Sequence, residues 1–158
     1  MKSIYITGMS GTGKSSVIQH LSEKGFTAID TDYGDWKELS LSGDTPEWLL
    51  KEEKIKKSVS KPLISPVFIA GCCSNQVNLY PFFDHILLLS SSIETILERV
   101  STRTSNPYGQ LPHERDEIIW NFENIQPLLQ EGADFEFNTE VMTVEEIAAS
   151  LEQLASPR

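Results

Sequence analysis

A short glycine-rich segment near the start of the chain, GMSGTGKS at residues 8–15, constrains the fold more than any other feature. It follows the apolar run SIYIT and precedes a segment with apolar residues at helical spacing, which predicts a strand, a tight loop and a helix in succession. Gly8, Gly11 and Gly13 allow backbone angles that a β-carbon disfavours, so the loop's N–H groups can turn inward. Because the loop leads into a helix N-terminus, it would offer free amides and a positive dipole end to an anion.

The segment fits the pattern G-x-x-x-x-G-K-[ST], in which the loop cradles the phosphates of a nucleoside triphosphate. In this pattern Lys14 reaches the β and γ phosphates and the Ser15 hydroxyl can ligate Mg²⁺. The expected cofactors are therefore ATP and Mg²⁺. The expected cofactor-binding residues in this region are Gly8, Gly11, Thr12, Gly13, Lys14, Ser15 and Ser16. The alternative is a glycine-rich turn that binds no ligand.

Strand and helix signals alternate along the whole chain, which predicts an α/β fold with a parallel sheet. Strands are predicted at 3–7, 26–30, 65–71, 84–90 and 133–139. Helices are predicted at 13–25, 46–60, 93–104, 113–132 with a bend near Pro127, and 143–155. With 158 residues and no composition break, the chain is expected to form a single domain, 1–158.

The chain carries 13 basic and 23 acidic residues, a formal net charge of −10, and its pI is about 4.7. A nucleic-acid groove needs a basic face, so nucleic acid is not expected as a partner. Apolar runs of membrane length and a signal peptide are absent from the sequence. We therefore expect a cytoplasmic protein, monomeric or homodimeric, without a membrane partner.

Two adjacent cysteines, Cys72 and Cys73, follow the third predicted strand. Neighbouring cysteines rarely bridge each other because the ring is strained. Two reduced thiols at a strand end are the simpler interpretation, and a redox role is the alternative.

Two carboxylates, Asp30 and Asp32, follow the second predicted strand. Ligands of open parallel sheets bind at the carboxyl ends of the strands, so both side chains are expected to face the glycine-rich loop. Asp30 could hold Mg²⁺ together with Ser15, and Asp32 could orient or deprotonate an acceptor hydroxyl. The alternative is an Asp-rich turn that caps a helix, with Asp35 as its cap.

The segments GMSGTGKS and DTD, in this order, resemble the shikimate-kinase and gluconate-kinase branch of the P-loop kinases, which are relatives of the nucleoside monophosphate kinases. The resemblance covers nearly the whole chain in element order. It implies a three-layer P-loop NTPase fold, a five-stranded parallel sheet flanked by helices, and a short lid at about 104–113. It also implies roles for lid arginines: Arg103 would contact the transferring phosphate or stack on the adenine, and Arg99, which points the same way, would bind the nucleotide. Surface pairing with Glu98 or with nearby acidic residues is the alternative for both.

The same resemblance implies acceptor contacts in the glycine loop after the third strand. Here that loop reads FIAGCCSNQ, so the candidates are Gly71, Ser74, Asn75 and Gln76. Asn138 and Thr139, which end the fifth strand, stand where this fold usually places the adenine. Tyr33, Trp36 and Trp48 could stack on an acceptor or pack in the core.

Residues 1–98 contain no arginine, whereas shikimate kinases bind their carboxylate with an arginine after the aspartates. Shikimate and nucleoside monophosphates are therefore disfavoured as acceptors, and a neutral or cationic acceptor is favoured. The sequence also lacks the Asn-Lys-x-Asp motif of GTPases and an Asp-Glu strand end of motor ATPases.

Three functions remain open at this point. The first is a kinase that transfers the γ-phosphate of ATP to a hydroxyl of a small molecule, with Lys14, Asp32 and Arg103 as catalytic residues and Ser15 and Asp30 at the metal. The second is a nucleotide-binding regulatory module with little chemistry. The third is a nucleoside or nucleotide kinase.

Overall fold

The computed structural model describes residues 1–104 and 106–156. Its strands are β1 Ser3–Thr7, β2 Thr27–Asp30, β3 Lys37–Ser40, β4 Glu47–Leu50, β5 Val67–Ala70, β6 His85–Ser90 and β7 Phe135–Asn138. Its α-helices are α1 Lys14–Glu23, α2 Glu52–Ser58, α3 Ile93–Thr102, α4 Pro112–Asn124, α5 Gln126–Gly132 and α6 Val144–Ala155, and a 3-10 helix spans Gln76–Phe82.

A five-stranded sheet in the order β2-β5-β1-β6-β7 forms the centre of the molecule. All of its strand pairs are parallel. The register brings the carboxyl ends of neighbouring strands level, since Asp30 and Ile6 both stand opposite Ala70, and Thr7 stands opposite Leu88. The loops that follow β1, β2, β5 and β6 therefore emerge at one edge of the sheet, as expected for a ligand site in this fold.

Helices cover both faces of the sheet, because its strands are apolar on both sides. On one face Ile4, Ile6 and Leu87 pack against buried residues of α1 and α6. On the other face Tyr5 and Ile69 pack against α2 and the 3-10 helix, while Leu88 packs against α3, α4 and α5. The predicted three-layer α/β fold with five parallel strands is confirmed.

The helix predicted at 46–60 is wrong in its first part. Glu47–Leu50 is a strand, β4, that pairs antiparallel with β3, and the helix begins only at Glu52. The Asn75 side chain bonds both backbone groups of Leu50, with its amide oxygen 3.0 Å from the nitrogen and its amide nitrogen 3.0 Å from the oxygen. A distant side chain thus holds an extended backbone where the local signal, Thr45-Pro46, favours a helix start.

The bend predicted near Pro127 is present, since the segment divides into α4 and α5 around Ile125. Proline has no N–H to donate and crowds the preceding turn, so the helix cannot continue unbroken through it. The predicted lid at 104–113 ends earlier than expected, because α4 already begins at Pro112. Ser105, within that predicted lid, lies outside the described residues, as do residues 157 and 158 of the predicted domain.

Candidate functional site

The glycine-rich loop connects β1 to α1 and lies close against the neighbouring strand. A β-carbon on Gly8 would lie 2.4 Å from the carbonyl oxygen of Leu89 in β6, so only glycine fits there. Gly13, the residue that precedes α1, has a φ of 102° in the left-handed region. These constraints turn the chain sharply at the sheet edge and aim the first amides of α1 at the space beside the loop.

A cavity of about 330 Å³ opens beside this loop, and we call it the loop cavity. It gathers residues from four separate segments of the chain: the loop and α1 start, the turn after β2, the last turns of α3 and the segment after α3. Its lining residues are Ser10, Gly11, Gly13, Lys14, Ser15, Ser16, Asp32, Tyr33, Arg99, Thr102, Arg103 and Asn106. The sequence-predicted residues Lys14, Asp32 and Arg103 therefore share one cavity.

The Lys14 side chain lies along the loop. Its ammonium group donates to the carbonyl oxygens of Gly8, at 2.5 Å, and Met9, at 3.0 Å. Burial lowers the pKa of Lys14, while the nearby groups Cys72, Asp32 and Asp30 oppose that shift. A desolvated ammonium whose hydrogen bonds go to neutral carbonyls is suited to a polyanionic partner.

Ser15 and Asp30 meet at the side of the loop cavity. The Ser15 hydroxyl donates to a carboxylate oxygen of Asp30 at 2.5 Å, and the other carboxylate oxygen accepts from the Asp32 backbone N–H at 3.0 Å. A hydroxyl and a carboxylate side by side are the oxygen ligands that Mg²⁺ takes, and Mg²⁺ completes its shell with water and phosphates. The described residues hold no group of three or more His, Cys, Asp or Glu that could bind a metal alone, so this pair fits a metal shared with phosphates.

Asp32 forms an ion pair that the sequence did not reveal. Lys37, at the start of β3, donates to a carboxylate oxygen of Asp32. Burial lowers the pKa of Lys37, but its hydrogen bond to Asp32 and the charge of that carboxylate outweigh burial, and the net pKa is raised. The hairpin of β3 and β4 thus places a cation at the predicted catalytic carboxylate, and no periodicity in the sequence signals this contact.

Arg99 and Arg103 both reach the glycine-rich loop from α3. Arg99 donates to the carbonyl of Gly11 at 3.2 Å and to the hydroxyl of Thr139 at 2.8 Å, which ties α3 to the loop and to the end of β7. Arg103 donates to the Ser10 hydroxyl at 3.2 Å and to the Tyr108 carbonyl at 2.7 Å. Among the described residues neither arginine forms an ion pair, so the alternative of surface pairing with Glu98 is not observed.

A smaller space of about 170 Å³, the side cavity, adjoins the loop cavity and shares Gly13, Ser16 and Arg99 with it. Thr139 and Met142 form its far wall. Thr12 also borders it, although the Thr12 side chain is buried and its hydroxyl donates to the Met9 carbonyl at 2.7 Å. Thr139 and most of the loop residues that the sequence assigned to nucleotide binding therefore line one of these two cavities, as does Arg99. Gly8 instead packs against β6, and Asn138 lines neither cavity.

The residues expected to contact an acceptor have internal partners. Gln76 is buried and bonds Tyr5, Thr7 and Tyr80 through its side chain. Asn75 holds Leu50, as described above. A β-carbon on Gly71 would lie 2.3 Å from the Thr31 hydroxyl. Because their polar atoms are already used within the fold, the Asn75 and Gln76 side chains stabilise the loop after β5.

The aromatic residues suggested for stacking do not form one group. Tyr33 borders the loop cavity, whereas Trp36 packs against the core and carries the Lys54 ammonium 4.4 Å from its ring centroid. Trp48 is exposed on β4. Of the three, only Tyr33 lies where it could contact a ligand in the loop cavity.

A third space, the apolar pocket of about 670 Å³, lies on the other side of Met9 and was not foreseen. Met9, Cys72 and Cys73 form its inner end, the 3-10 helix forms one wall, and α4 and α5 form the other. Both cysteines are free thiols, as expected, and burial raises the pKa of Cys73 to about 11. A thiol that stays protonated in this way is a poor nucleophile.

A family model described as an AAA domain matches residues 4–120, which include the glycine-rich loop, both aspartates and both arginines. The chain belongs to this family. The match covers well over half of the sequence, and it begins in β1 and ends in α4. No curated protein matches the sequence significantly.

Solved structures of P-loop kinases share the fold at low identity. A shikimate kinase from Acinetobacter baumannii, in complex with shikimate, is 17% identical with a TM-score of 0.64, over 98% of this chain and 92% of that one. A shikimate kinase from Bacteroides thetaiotaomicron is 16% identical with a TM-score of 0.63, over 97% of each chain. A deoxyadenosine kinase from M. mycoides with bound dATP is 16% identical with a TM-score of 0.56, over 99% of this chain and 100% of that one. The fold that the resemblance to P-loop kinases predicted is confirmed by these structures.

Of the helices in the described part of the chain, none combines the length and the apolar character that crossing a bilayer requires.

Proposed function

We propose that this protein is a kinase that transfers the γ-phosphate of ATP to a hydroxyl group of a small molecule. The observation that carries the proposal is the loop cavity, where Lys14, Asp32 and Arg103 surround one space at the carboxyl edge of a parallel sheet. A phosphate-binding loop alone would serve any nucleotide-binding protein. A carboxylate and an arginine facing the same space are the further groups that phosphoryl transfer uses.

The loop amides and Lys14 would hold the β and γ phosphates, and Ser15 with Asp30 would hold Mg²⁺. When bound, the metal neutralises charge on the phosphate oxygens. Arg99 and Thr139 would border the adenine in the side cavity, which opens directly from the loop cavity. Arg103 bonds both the loop and the segment after α3, so it would move with that segment and place its charge against the transferring group.

In the transfer step, the acceptor oxygen would form a bond to the γ-phosphorus as the bond from that phosphorus to the β–γ bridging oxygen breaks and ADP leaves. Asp32 would accept the hydroxyl proton or orient the hydroxyl. Lys37 would keep the Asp32 carboxylate fixed beside the loop cavity. Phosphoryl transfer has a loose transition state, so positioning the hydroxyl contributes more than strong basicity does.

One observation favours the second candidate, a nucleotide-binding regulatory module. The ion pair with Lys37 occupies an oxygen of the carboxylate that a kinase would use. In such a module the loop would bind nucleotide, while Asp32 would serve only to hold the β3–β4 hairpin in place.

Calorimetry with Mg²⁺–ATP tests the nucleotide site. The wild-type protein should bind, and Lys14→Ala should lose roughly a hundredfold or more in affinity, because a desolvated cation is removed from the phosphates. Lys24→Ala is the matched control, since Lys24 follows the same helix but pairs with Glu152 at 2.6 Å on the surface. Equal affinities for wild type and Lys14→Ala would refute the assignment.

ADP release in the presence of sugars, nucleosides and aminoglycosides tests the transfer. We expect one acceptor class to stimulate ADP release by wild type, and Asp32→Asn to lower the stimulated rate roughly a hundredfold while leaving ATP affinity nearly unchanged. Stimulation that survives Asp32→Asn would remove Asp32 from the mechanism. Tight ATP binding without stimulation by any acceptor would favour the regulatory module.

A further inference from the structure

The apolar pocket lies next to the glycine-rich loop at Met9. The Met9 side chain borders the pocket, and the Met9 carbonyl accepts from the Lys14 ammonium at 3.0 Å. Cys72 lines the same pocket and is near enough to Lys14 to oppose the lowering of its pKa. The Met9 end of the pocket therefore adjoins the loop that is expected to hold the terminal phosphate.

Apolar side chains line the pocket both at its base and at its rim. Met9 and Leu129 are buried at the base. At the rim Val77, 60% exposed, and Leu128, 59% exposed, border the same pocket from opposite walls. The volume of about 670 Å³ lies within the range of small-molecule sites. Apolar side chains left open on two facing walls favour an occupant that covers them with apolar surface.

Charge in the pocket is unfavourable for an anion. Among the described residues that line it, Glu131 is the one charged side chain, and none is a lysine or arginine. Two lysines interact electrostatically with the cysteines of the pocket, but Lys37 is paired with Asp32 and Lys14 donates to the loop carbonyls. A carboxylate or phosphate bound here would lose its hydration without gaining a counter-ion, and it would also meet Glu131.

Few polar groups of the pocket remain available to a ligand. Gln76 and Tyr80 bond each other at 2.8 Å. Asn121, by contrast, has a side-chain amide with no hydrogen-bond partner among the described residues, and it faces the same pocket from α4. One amide among apolar walls can orient a small polar group of a ligand without binding a charge.

We propose that the apolar pocket binds the phosphoryl acceptor and selects an uncharged alcohol with an apolar body. The statement that this ligand is the phosphoryl acceptor rests on the proposed function. The preference for an uncharged ligand rests on the residues of the pocket alone. The hydroxyl would lie at the Met9 end, next to the glycine-rich loop, and the apolar body would lie between the 3-10 helix and α5.

Matched probes that differ only in charge test the preference. The first set is benzyl alcohol itself and benzyl alcohols that carry a methyl ester, a carboxylate or an aminomethyl group on the ring. The second set is cyclohexylmethanol with the same ring substituents. We expect uncharged members to raise the thermal unfolding midpoint and to bind at least roughly tenfold tighter than the carboxylates by calorimetry. Tighter binding of a carboxylate, an amine or shikimate would overturn the proposal, and so would the absence of binding by every uncharged probe.

A charge introduced at the rim tests the location. Leu128→Arg should let the carboxylate probes bind at least roughly tenfold tighter than they bind wild type, because the new guanidinium pairs with them. Trp120→Arg is the matched control, since Trp120 is 57% exposed on α4 but does not line the pocket. An equal gain in both variants, or no gain in Leu128→Arg, would place the binding elsewhere.

Mg²⁺–ATP calorimetry on the same samples separates the two proposals. If uncharged probes bind but ATP does not, the kinase proposal fails and the ligand class of the pocket stands. If ATP binds and carboxylate probes bind better than uncharged ones, the ligand class fails and the kinase proposal stands.

Discussion

The loop cavity and the apolar pocket both lie beside the glycine-rich loop but are assembled in opposite ways. Six of the twelve residues that line the loop cavity come from one continuous stretch, residues 10–16, which belongs to the glycine-rich loop and the start of α1. The apolar pocket takes side chains from the loop, from the segment after β5 and from α4 and α5, which are far apart in sequence. A site built from backbone groups has a recognisable local pattern in the sequence, whereas a pocket formed by side chains from several helices has almost none.

We expect the glycine-rich loop to tolerate an added methyl group less well than the wall of the apolar pocket does. A β-carbon on Gly8 would meet the rigid carbonyl of Leu89 at 2.4 Å, while one on Gly132 would meet the Tyr80 ring at 2.9 Å. We expect Gly8→Ala to lower the free energy of unfolding by about 3 kcal/mol. Gly132→Ala should change it by less than about 1 kcal/mol, because the ring can shift and alanine favours the helix. Urea denaturation measures both values, and equal losses would contradict the contrast.

Arg103, which directly follows α3, gives the next largest effect. Arg103→Met should lower acceptor-stimulated ADP release roughly a hundredfold, because it removes a charge from the loop cavity. Arg115→Met is the control, since the Arg115 guanidinium bonds the Leu97 carbonyl at 3.4 Å and does not line that cavity. Neither variant should change the affinity of uncharged probes for the apolar pocket more than about twofold. A matching loss of rate in Arg115→Met would show that α3 contacts, and not charge in the cavity, set the rate.

The ion pair of Lys37 with Asp32 gives the smallest effect and depends on pH. Since the folded-state pKa of Lys37 is raised, the pair stabilises the protein below the unfolded pKa of about 10.4, and that contribution is lost as pH rises through the folded value. The Asp32 side chain is 44% exposed, so the contribution should be below about 1 kcal/mol. The stability difference between wild type and Lys37→Met should therefore shrink above pH 10.4 in urea titrations. A stability difference between the two proteins that grows with pH would contradict the expected direction of this effect.

Most of the fold could be predicted from short continuous segments of the sequence. The β1–loop–α1 unit, the five parallel strands and the break at Pro127 were all predicted, because each depends on residues adjacent in the chain. The β3–β4 hairpin was missed because its last strand depends on Asn75, a residue beyond α2 and β5. The hairpin in turn brings Lys37 to Asp32, so the same distant contact hid a member of the candidate site.

By itself the sequence determined the glycine-rich loop between β1 and α1, the parallel sheet and the placement of Asp30 and Asp32 at its carboxyl edge. The backbone conformation of glycines and the ends of strands are local properties, so they can be inferred from the order of residues in the sequence alone. Only the tertiary structure decided that Asn75 and Gln76 hold the fold and that Lys37 meets Asp32. It also decided that α4 and α5 close an apolar pocket whose described lining residues include no lysine or arginine. Such a pocket exists only once separate helices pack, because its character is the sum of side chains that no local pattern connects.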